Sequence, residues 1–278
     1  MKPQVILVTG CSSGIGRATA VEAAERGHRV FASARRLEDV TDLPARGIET
    51  VRLDVTDEDS VASAVAHVLA RAGRIDALVN NAGYGQYGAV EDVTPEEWRR
   101  QFDVNVFGSL TVLRAVLPAM REARRGTIVT VSSVAGKVSI PFASPYCASK
   151  HALEAISDAL RVEVAPWKIR VVVVEPGPIT THFGDRAREG TARILRTPGP
   201  YSSFYANVER ASETEFQRGK RRPELVARVI VGAIESPRPR TRYRVAPLAR
   251  ILLPLKKLAS DRFLDRRLKR ALRLPDSI

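Results

Sequence analysis

Tyr146 and Lys150 lie four residues apart in the run Pro145-Tyr146-Cys147-Ala148-Ser149-Lys150. They open an apolar-periodic stretch from Ala148 to Val164. On a helix, that spacing sets both side chains on one face. A phenol titrates near ~10 and exchanges protons poorly at neutral pH. A neighbouring ammonium favours the phenolate and lowers that value, so Lys150 is expected to tune Tyr146 for general acid–base chemistry. A shift of ~3 units asks roughly 4 kcal/mol of the lysine and its surroundings. Taken alone, the same spacing is common on exposed helix faces, so the elements around the pair have to decide its meaning.

The N-terminal segment supplies the first of these elements. Val5-Ile6-Leu7-Val8 reads as a short apolar strand running straight into Thr9-Gly10-Cys11-Ser12-Ser13-Gly14-Ile15-Gly16. A helical stretch from Arg17 to Arg26 follows and stops at Gly27. Strand, glycine-rich turn and helix form the context of a dinucleotide-binding loop. Glycine lets the backbone approach a pyrophosphate closely, and the helix N-terminus offers free N–H groups and a positive dipole end. Here the glycines follow a G-x-x-x-G-x-G spacing, and Gly10, Ser12, Ser13, Gly14, Ile15 and Gly16 are the expected cofactor contacts.

Thr9 to Gly16, Asn80-Asn81-Ala82-Gly83, Ser132-Ser133, Tyr146 to Lys150 and Pro176-Gly177-Pro178-Ile179-Thr180-Thr181 occur in that order. Over roughly residues 4 to 182 this resembles the single-domain short-chain dehydrogenases/reductases, and the middle section leans toward members that handle steroids and retinoids. The resemblance implies a catalytic serine thirteen residues before the tyrosine, which is Ser133, with Ser132 as its backbone-facing neighbour. It implies that Lys150 also holds the nicotinamide ribose and that Asn105 organises a water leading to the lysine. Asn105 is otherwise a polar residue in an apolar stretch, costly to bury unless bonded. By the same resemblance Asp54, with Val55 beside it, meets the adenine. Asn81, Ala82 and Gly83 line the cofactor, and Pro176, Gly177, Ile179 and Thr181 reach the nicotinamide end. Tyr146 and Lys150 belong to both the catalytic and the cofactor-binding sets. The implied assembly is a homodimer or homotetramer.

The second strand ends Ala32-Ser33-Ala34-Arg35. An NAD-selective site places a carboxylate at such a strand end for the ribose 2′-hydroxyl. Ala34 stands there instead, followed by a guanidinium suited to a 2′-phosphate. The expected cofactor is therefore NADP(H), with NAD the weaker option.

The alternation of patterns predicts strands near 4–9, 29–34, 48–54, 75–80, 126–132, 169–175 and 242–246. It predicts helices near 14–26, 57–72, 95–122, 146–165 and 223–235. Asp57 suits the start of the second helix. Strands of nearly continuous apolar character suit a sheet covered on both faces, and alternating units give an α/β, doubly wound (Rossmann) fold of seven mostly parallel strands. The whole chain, 1–278, reads as one such domain. It carries a substrate lid over about 183–222 and a basic extension over about 245–278.

With 278 residues, 44% of them hydrophobic, the chain can bury a large core. No run of about 18 uncharged apolar residues and no leader pattern appear. Cys11 and Cys147 both sit inside motifs and read as reduced packing residues, in keeping with a cytoplasmic setting. The four histidines show no metal spacing, so no metal is expected. All of the net charge of +13 lies in residues 218–278, which hold 18 Lys and Arg against 5 Asp and Glu. Within that section, runs such as Ile251 to Lys257 mix apolar and basic residues. This pattern suits either helices packed on the domain or peripheral contact with an anionic membrane. No nucleic-acid motif accompanies the charge, so no nucleic-acid partner is expected.

These readings lead to an NADP(H) oxidoreductase acting on a carbonyl or alcohol of a lipophilic substrate. The alternatives are an acyl-thioester ketone reductase and a non-catalytic NADP-binding regulatory protein. The presence of Ser133, Tyr146 and Lys150 favours the enzyme.

Overall fold

Four consecutive buried residues form the first strand, β1 (Val5–Val8). Their alternation decides the layering of the molecule. Ile6 and Val8 face one core; Val5 and Leu7 face another, as successive side chains of a strand must. The computed structural model of the protein describes residues 2–179, 191–194, 198–202, 204, 205, 207, 222–245, 259–272 and 274. Thr181 and most of the predicted lid and basic extension lie outside the described residues.

The further strands are β2 (Arg29–Ala34), β3 (Glu49–Arg52), β4 (Ala77–Asn80), β5 (Gly126–Val131), β6 (Ile169–Glu175) and β7 (Arg242–Arg244). They form one sheet in the order β3-β2-β1-β4-β5-β6-β7. Every pairing is parallel, so the expected mostly parallel sheet is wholly parallel. The helices are α1 (Gly14–Glu25), α2 (Glu58–Ala72), α3 (Pro95–Phe102), α4 (Gly108–Glu122), α5 (Ser144–Glu163), α6 (Pro223–Glu235) and α7 (Asp261–Leu272). One core places Ala20 and Ala23 of α1 and Ile230 and Ile234 of α6 against Ile6, Val8, Val129 and Val174. The other places Val61 and Val65 of α2 and Val112 and Val116 of α4 against Leu7, Phe31, Leu78 and Ile128. This is the doubly wound arrangement, and it brings every β-strand's carboxyl end to one edge.

Local signals explain most boundaries. Asp57 caps α2 by accepting from the Ser60 N–H at 3.0 Å. Thr94 and Glu97 cap α3 reciprocally, with Pro95 at its first position. The predicted helix over 95–122 is divided. A π turn spans Asp103–Phe107, where the Gly108 N–H reaches back five residues to the Asp103 carbonyl. The Ser109 hydroxyl donates to the Asn105 carbonyl at 2.8 Å within it. By length and composition, Pro95–Glu122 is the one helical stretch among the described residues apolar enough to cross a membrane. Its apolar side is instead committed to the second core. Helix α5 starts at Ser144 rather than Tyr146 and ends at Glu163, because Pro145 with its fixed φ fits the first turn. Tyr146 thereby sits in that first turn, at the sheet's carboxyl edge.

Candidate active site

The turn after β1 makes a cradle that only glycine permits. Gly10 and Gly14 hold φ of 73° and 62°, the left-handed region disfavoured for residues with a Cβ. A Cβ on Gly16 would collide with the Gly10 carbonyl oxygen and the Asn81 side chain. The first turn of α1 carries no acidic residue, and the Ser13 hydroxyl makes no capping bond. The helix's leading N–H groups, beside Ser12, Ser13 and Ile15, are therefore left to an anion. These features fit the pyrophosphate of a dinucleotide.

The cradle is braced from β4. Asn81 Nδ2 donates to the carbonyls of Thr9 at 2.8 Å and Gly10 at 3.3 Å. The Thr9 hydroxyl in turn accepts from the N–H groups of Asn81 and Ala82, each at 2.9 Å. Asn81 thus supports the turn with its side chain, while Ala82 and Gly83 continue from the same sheet edge. At the end of β3, Asp54 Oδ1 accepts from the N–H and hydroxyl of Thr56 at 3.0 and 2.8 Å. Val55 is buried, against Gly108, where a Cβ would come within 2.7 Å of Val55 Cγ2. Arg35 is exposed just past β2. Its neighbours are engaged, Arg36 with Asp39 and Arg17 with Asp42, whereas Arg35 forms no ion pair among the described residues.

The expected catalytic groups converge. Ser133 leads the turn after β5, its hydroxyl accepting from the Ala135 N–H at 3.1 Å, and it acts on the Tyr146 phenol in the direction that favours ionisation. Ser132 points the other way into the interior, with its hydroxyl unpartnered among the described residues. Lys150 is buried; its Nζ lies 5.8 Å from the Tyr146 ring centre and donates to the Val131 carbonyl at 2.9 Å. Asn105, in the π turn, is fully buried. Its Oδ1 accepts from the Tyr84 N–H at 3.0 Å, and its Nδ2 donates to the Tyr84 carbonyl at 2.9 Å and to the Ser149 hydroxyl at 3.0 Å. Ser149 donates onward to the Tyr146 carbonyl at 2.7 Å. Asn105 therefore ties the Tyr84 loop to the helix that carries the tyrosine and lysine. Pro176 is buried, with its carbonyl accepting from the Val134 N–H at 2.9 Å, and Gly177 and Ile179 follow β6.

The proton affinities correct one expectation. Burial pushes the Tyr146 phenol up to about 12, against the Ser133 hydrogen bond that favours ionisation. Burial also pulls Lys150 down to about 8, opposed by the nearby Glu154 carboxylate. Lys150 does not lower the tyrosine here because its ammonium is turned to the Val131 carbonyl and desolvation outweighs the remaining attraction. At neutral pH the phenol keeps its proton.

The model of the short chain dehydrogenase family matches residues 4–192. This protein belongs to that family. The short-chain dehydrogenase is 38% identical to the 3-ketodihydrosphingosine reductase of Bacteroides thetaiotaomicron, over 91% of each chain. It is 36% identical to an NADPH-dependent 3-dehydrocapnine reductase of Ornithobacterium rhinotracheale, over 94% of each. Among solved structures, a short-chain dehydrogenase/reductase of Burkholderia phymatum in complex with NAD superposes with a TM-score of 0.81 at 27% identity, covering 92% of this chain and 94% of that one. As a member of the family, the chain is an oxidoreductase with a nicotinamide-binding fold.

Several site residues escape sequence reasoning. Tyr87 lies with its ring centre 6.2 Å from that of Tyr146 and is buried enough to hold its proton well above the usual phenol range. Phe142 adopts a left-handed φ of 64°, unusual for a bulky residue. It packs against Tyr201, Phe204 and Tyr205, with ring centres 6.0, 6.4 and 5.4 Å away. Three aromatics from the segment after β6 thus gather around one residue just ahead of α5. The only signal in the sequence was their aromatic character.

A buried lysine that titrates near 8 costs stability. Between its folded value and the ordinary 10.5 the unfolded chain holds more protons, so stability should rise with pH across that window. Lys150→Met keeps the apolar stem and removes the charge. At pH 7 it relieves at most about 3 kcal/mol, less about 1 kcal/mol for the bond lost at Val131. Calorimetry should find its Tm several degrees above wild type at pH 7, the gap closing between pH 8 and 10.5. A gap that did not vary with pH would contradict a desolvated lysine.

Proposed function

We propose that this short-chain dehydrogenase is an NADP(H)-dependent reductase of a ketone or aldehyde on a lipophilic substrate. The observation that carries this reading is the Tyr146 phenol with Lys150 Nζ 5.8 Å from its ring centre, the lysine buried against the Val131 carbonyl at the sheet's carboxyl edge where Ser133 follows β5. A phenol that holds its proton can deliver it to a carbonyl oxygen as hydride arrives, the step that reduction requires. Bound NADPH would supply the hydride. Ser133 hydrogen-bonds the substrate oxygen and orients it. Tyr146 delivers the proton to that oxygen. Lys150, whose ammonium is held by the Val131 carbonyl, would reach the nicotinamide ribose. Asn105 keeps the lysine's helix and the Tyr84 loop in register.

Arg35 and the absence of a carboxylate at the end of β2 support NADP over NAD. The lipophilic substrate rests on Phe142 and the lid aromatics around it, within a lid assigned to 183–222. It also rests on the two relatives named as reductases of 3-ketodihydrosphingosine and of 3-dehydrocapnine. The protein is assigned a homodimeric or homotetrameric assembly on its family alone. In the basic extension, α7 carries five Arg and Lys against Asp261 and Asp265. With Phe263 half exposed, it suits peripheral contact with anionic lipid.

Tyr146→Phe should bind NADPH as wild type does and lose at least about 10²-fold in kcat on any good ketone. Retention of a tenth of the wild-type rate would remove the tyrosine from the proton path. Calorimetric titration should find NADPH tighter than NADH, and Arg35→Ala should weaken NADPH selectively. Equal wild-type affinities, or equal losses for both cofactors, would sink the assignment. Co-sedimentation should find binding to anionic vesicles at low salt that is lost at high salt and is absent with neutral lipid. No pelleting at low salt would leave the basic helices as solvated surface.

A further inference from the structure

Along α5, chemically active side chains recur at every fourth position: Tyr146, Lys150, Glu154 and Asp158. The first two belong to the site described above. The next is a carboxylate whose side chain is only 4% exposed, one helical turn past the lysine and on the same face. Glu154 Oε2 is paired with Lys137 Nζ at 2.8 Å and with Arg242 of β7 at 3.1 Å. Its other oxygen, Oε1, is buried with no hydrogen-bond partner among the described residues. Arg242 also reaches Asp158 at 2.5 Å and the fully buried Glu175, at the end of β6, at 3.3 Å. Arg244 approaches Glu175 at 3.4 Å.

The packing leaves little room for any other arrangement. A Cβ on Gly136 would come within 2.7 Å of the Ser132 hydroxyl, 3.0 Å of the Lys150 carbonyl and 3.1 Å of Glu154 Cγ. Ser132, the helix backbone at Lys150 and the Glu154 stem therefore converge on one point behind the catalytic residues. The titratable groups beside Lys150 on its own helix are Tyr146 and Glu154; Glu154 is in turn paired with Lys137 from the segment after β5 and with Arg242 from β7, which together with Arg244 also meets Glu175 of β6. The π turn meets this helix through the neutral Asn105 side chain, bonded to Ser149.

We propose that Glu154 is a positioning residue for Lys150: it is the buried counter-charge that keeps the catalytic ammonium protonated, and Lys137 and Arg242 set how much of that charge the lysine feels. Without it, a lysine whose one hydrogen bond among the described residues is to the Val131 carbonyl would face desolvation alone. Burial and attraction to Glu154 oppose one another at Lys150, so the ion-pair cluster behind the site sets the upper pH at which the lysine remains charged. The link from that charge to turnover rests on the function proposed above; the electrostatic coupling does not.

The test uses the full-length protein with 13C-labelled lysines. The Lys150 ε-methylene signal is assigned by its loss in Lys150→Arg and titrated by NMR. Glu154→Gln keeps an acceptor for Lys137 and Arg242 but removes the charge, and should lower the Lys150 midpoint by about one pH unit. Arg242→Gln removes a competing cation and should move it upward. The alkaline limb of kcat should follow the midpoint in both variants. Opposite shifts are a result that loosened packing does not produce. A midpoint unchanged in folded Glu154→Gln, or lowered in Arg242→Gln, would overturn the proposal. If Glu154→Gln does not fold, the sign of the Arg242→Gln shift decides alone. A midpoint that moves while the kcat limb stays fixed would uphold the coupling and remove Lys150's charge from the proposed chemistry.

Discussion

A cation stripped of water has to be held by something, and the burial of Lys150 is the constraint around which the site is arranged. Its ammonium has the Val131 carbonyl as a direct partner, at the carboxyl end of β5. That one bond fixes the rotation of α5 over the sheet, because the lysine's stem must run inward. Once the helix is so turned, Tyr146 faces the cleft near Ser133, and Ser149, on the adjacent side, meets Asn105. The lysine's desolvation is a stability cost retained at a functional site, and the neighbouring polar groups are placed to limit it.

The second organising junction lies between the ends of β1 and β4. Parallel pairing of Ile6 with Ala77 and Val8 with Val79 brings Thr9 beside Asn81. Thr9 then satisfies two backbone N–H groups of the following segment while Asn81 satisfies two carbonyls of the glycine turn. Those carbonyls would otherwise be unpaired at the sheet edge, which is costly. The brace keeps the turn open in the shape that the positive φ angles of Gly10 and Gly14 permit. A preformed cradle spends less binding energy on ordering its own loop.

The two junctions are connected through Asn105. Gly83, two residues after Asn81, passes so close that a Cβ there would come within 3.0 Å of Asn105 Oδ1. Asn105 in turn bonds the Tyr84 backbone and Ser149. The glycine turn, the π turn and α5 are thus linked through the hydrogen bonds of Asn81 and Asn105. Inserting a π turn into an otherwise regular helix is a local departure that such turns often make at functional sites, and here it aims Asn105 inward.

The order of strands and helices, the doubly wound class, the glycine turn, the Asp57 cap and the spacing of Tyr146 and Lys150 were all legible in the chain itself. They rest on local causes: apolar periodicity, capping chemistry and backbone freedom. The preference for Ser133 over Ser132 rests on strand alternation and the spacing of a known family. Tertiary structure decided what depends on distant neighbours. The π turn at 103–107 exists because Asn105 finds Tyr84 and Ser149, contacts 21 and 44 residues away, whereas its local pattern reads as plain helix. The tyrosine's proton affinity rises rather than falls because burial, which no spacing reveals, outweighs a lysine turned to Val131. The role of Glu154 stayed hidden for the same reason. In the sequence it is an ordinary helical glutamate, and it becomes a buried counter-charge when β7 delivers Arg242 from 88 residues downstream.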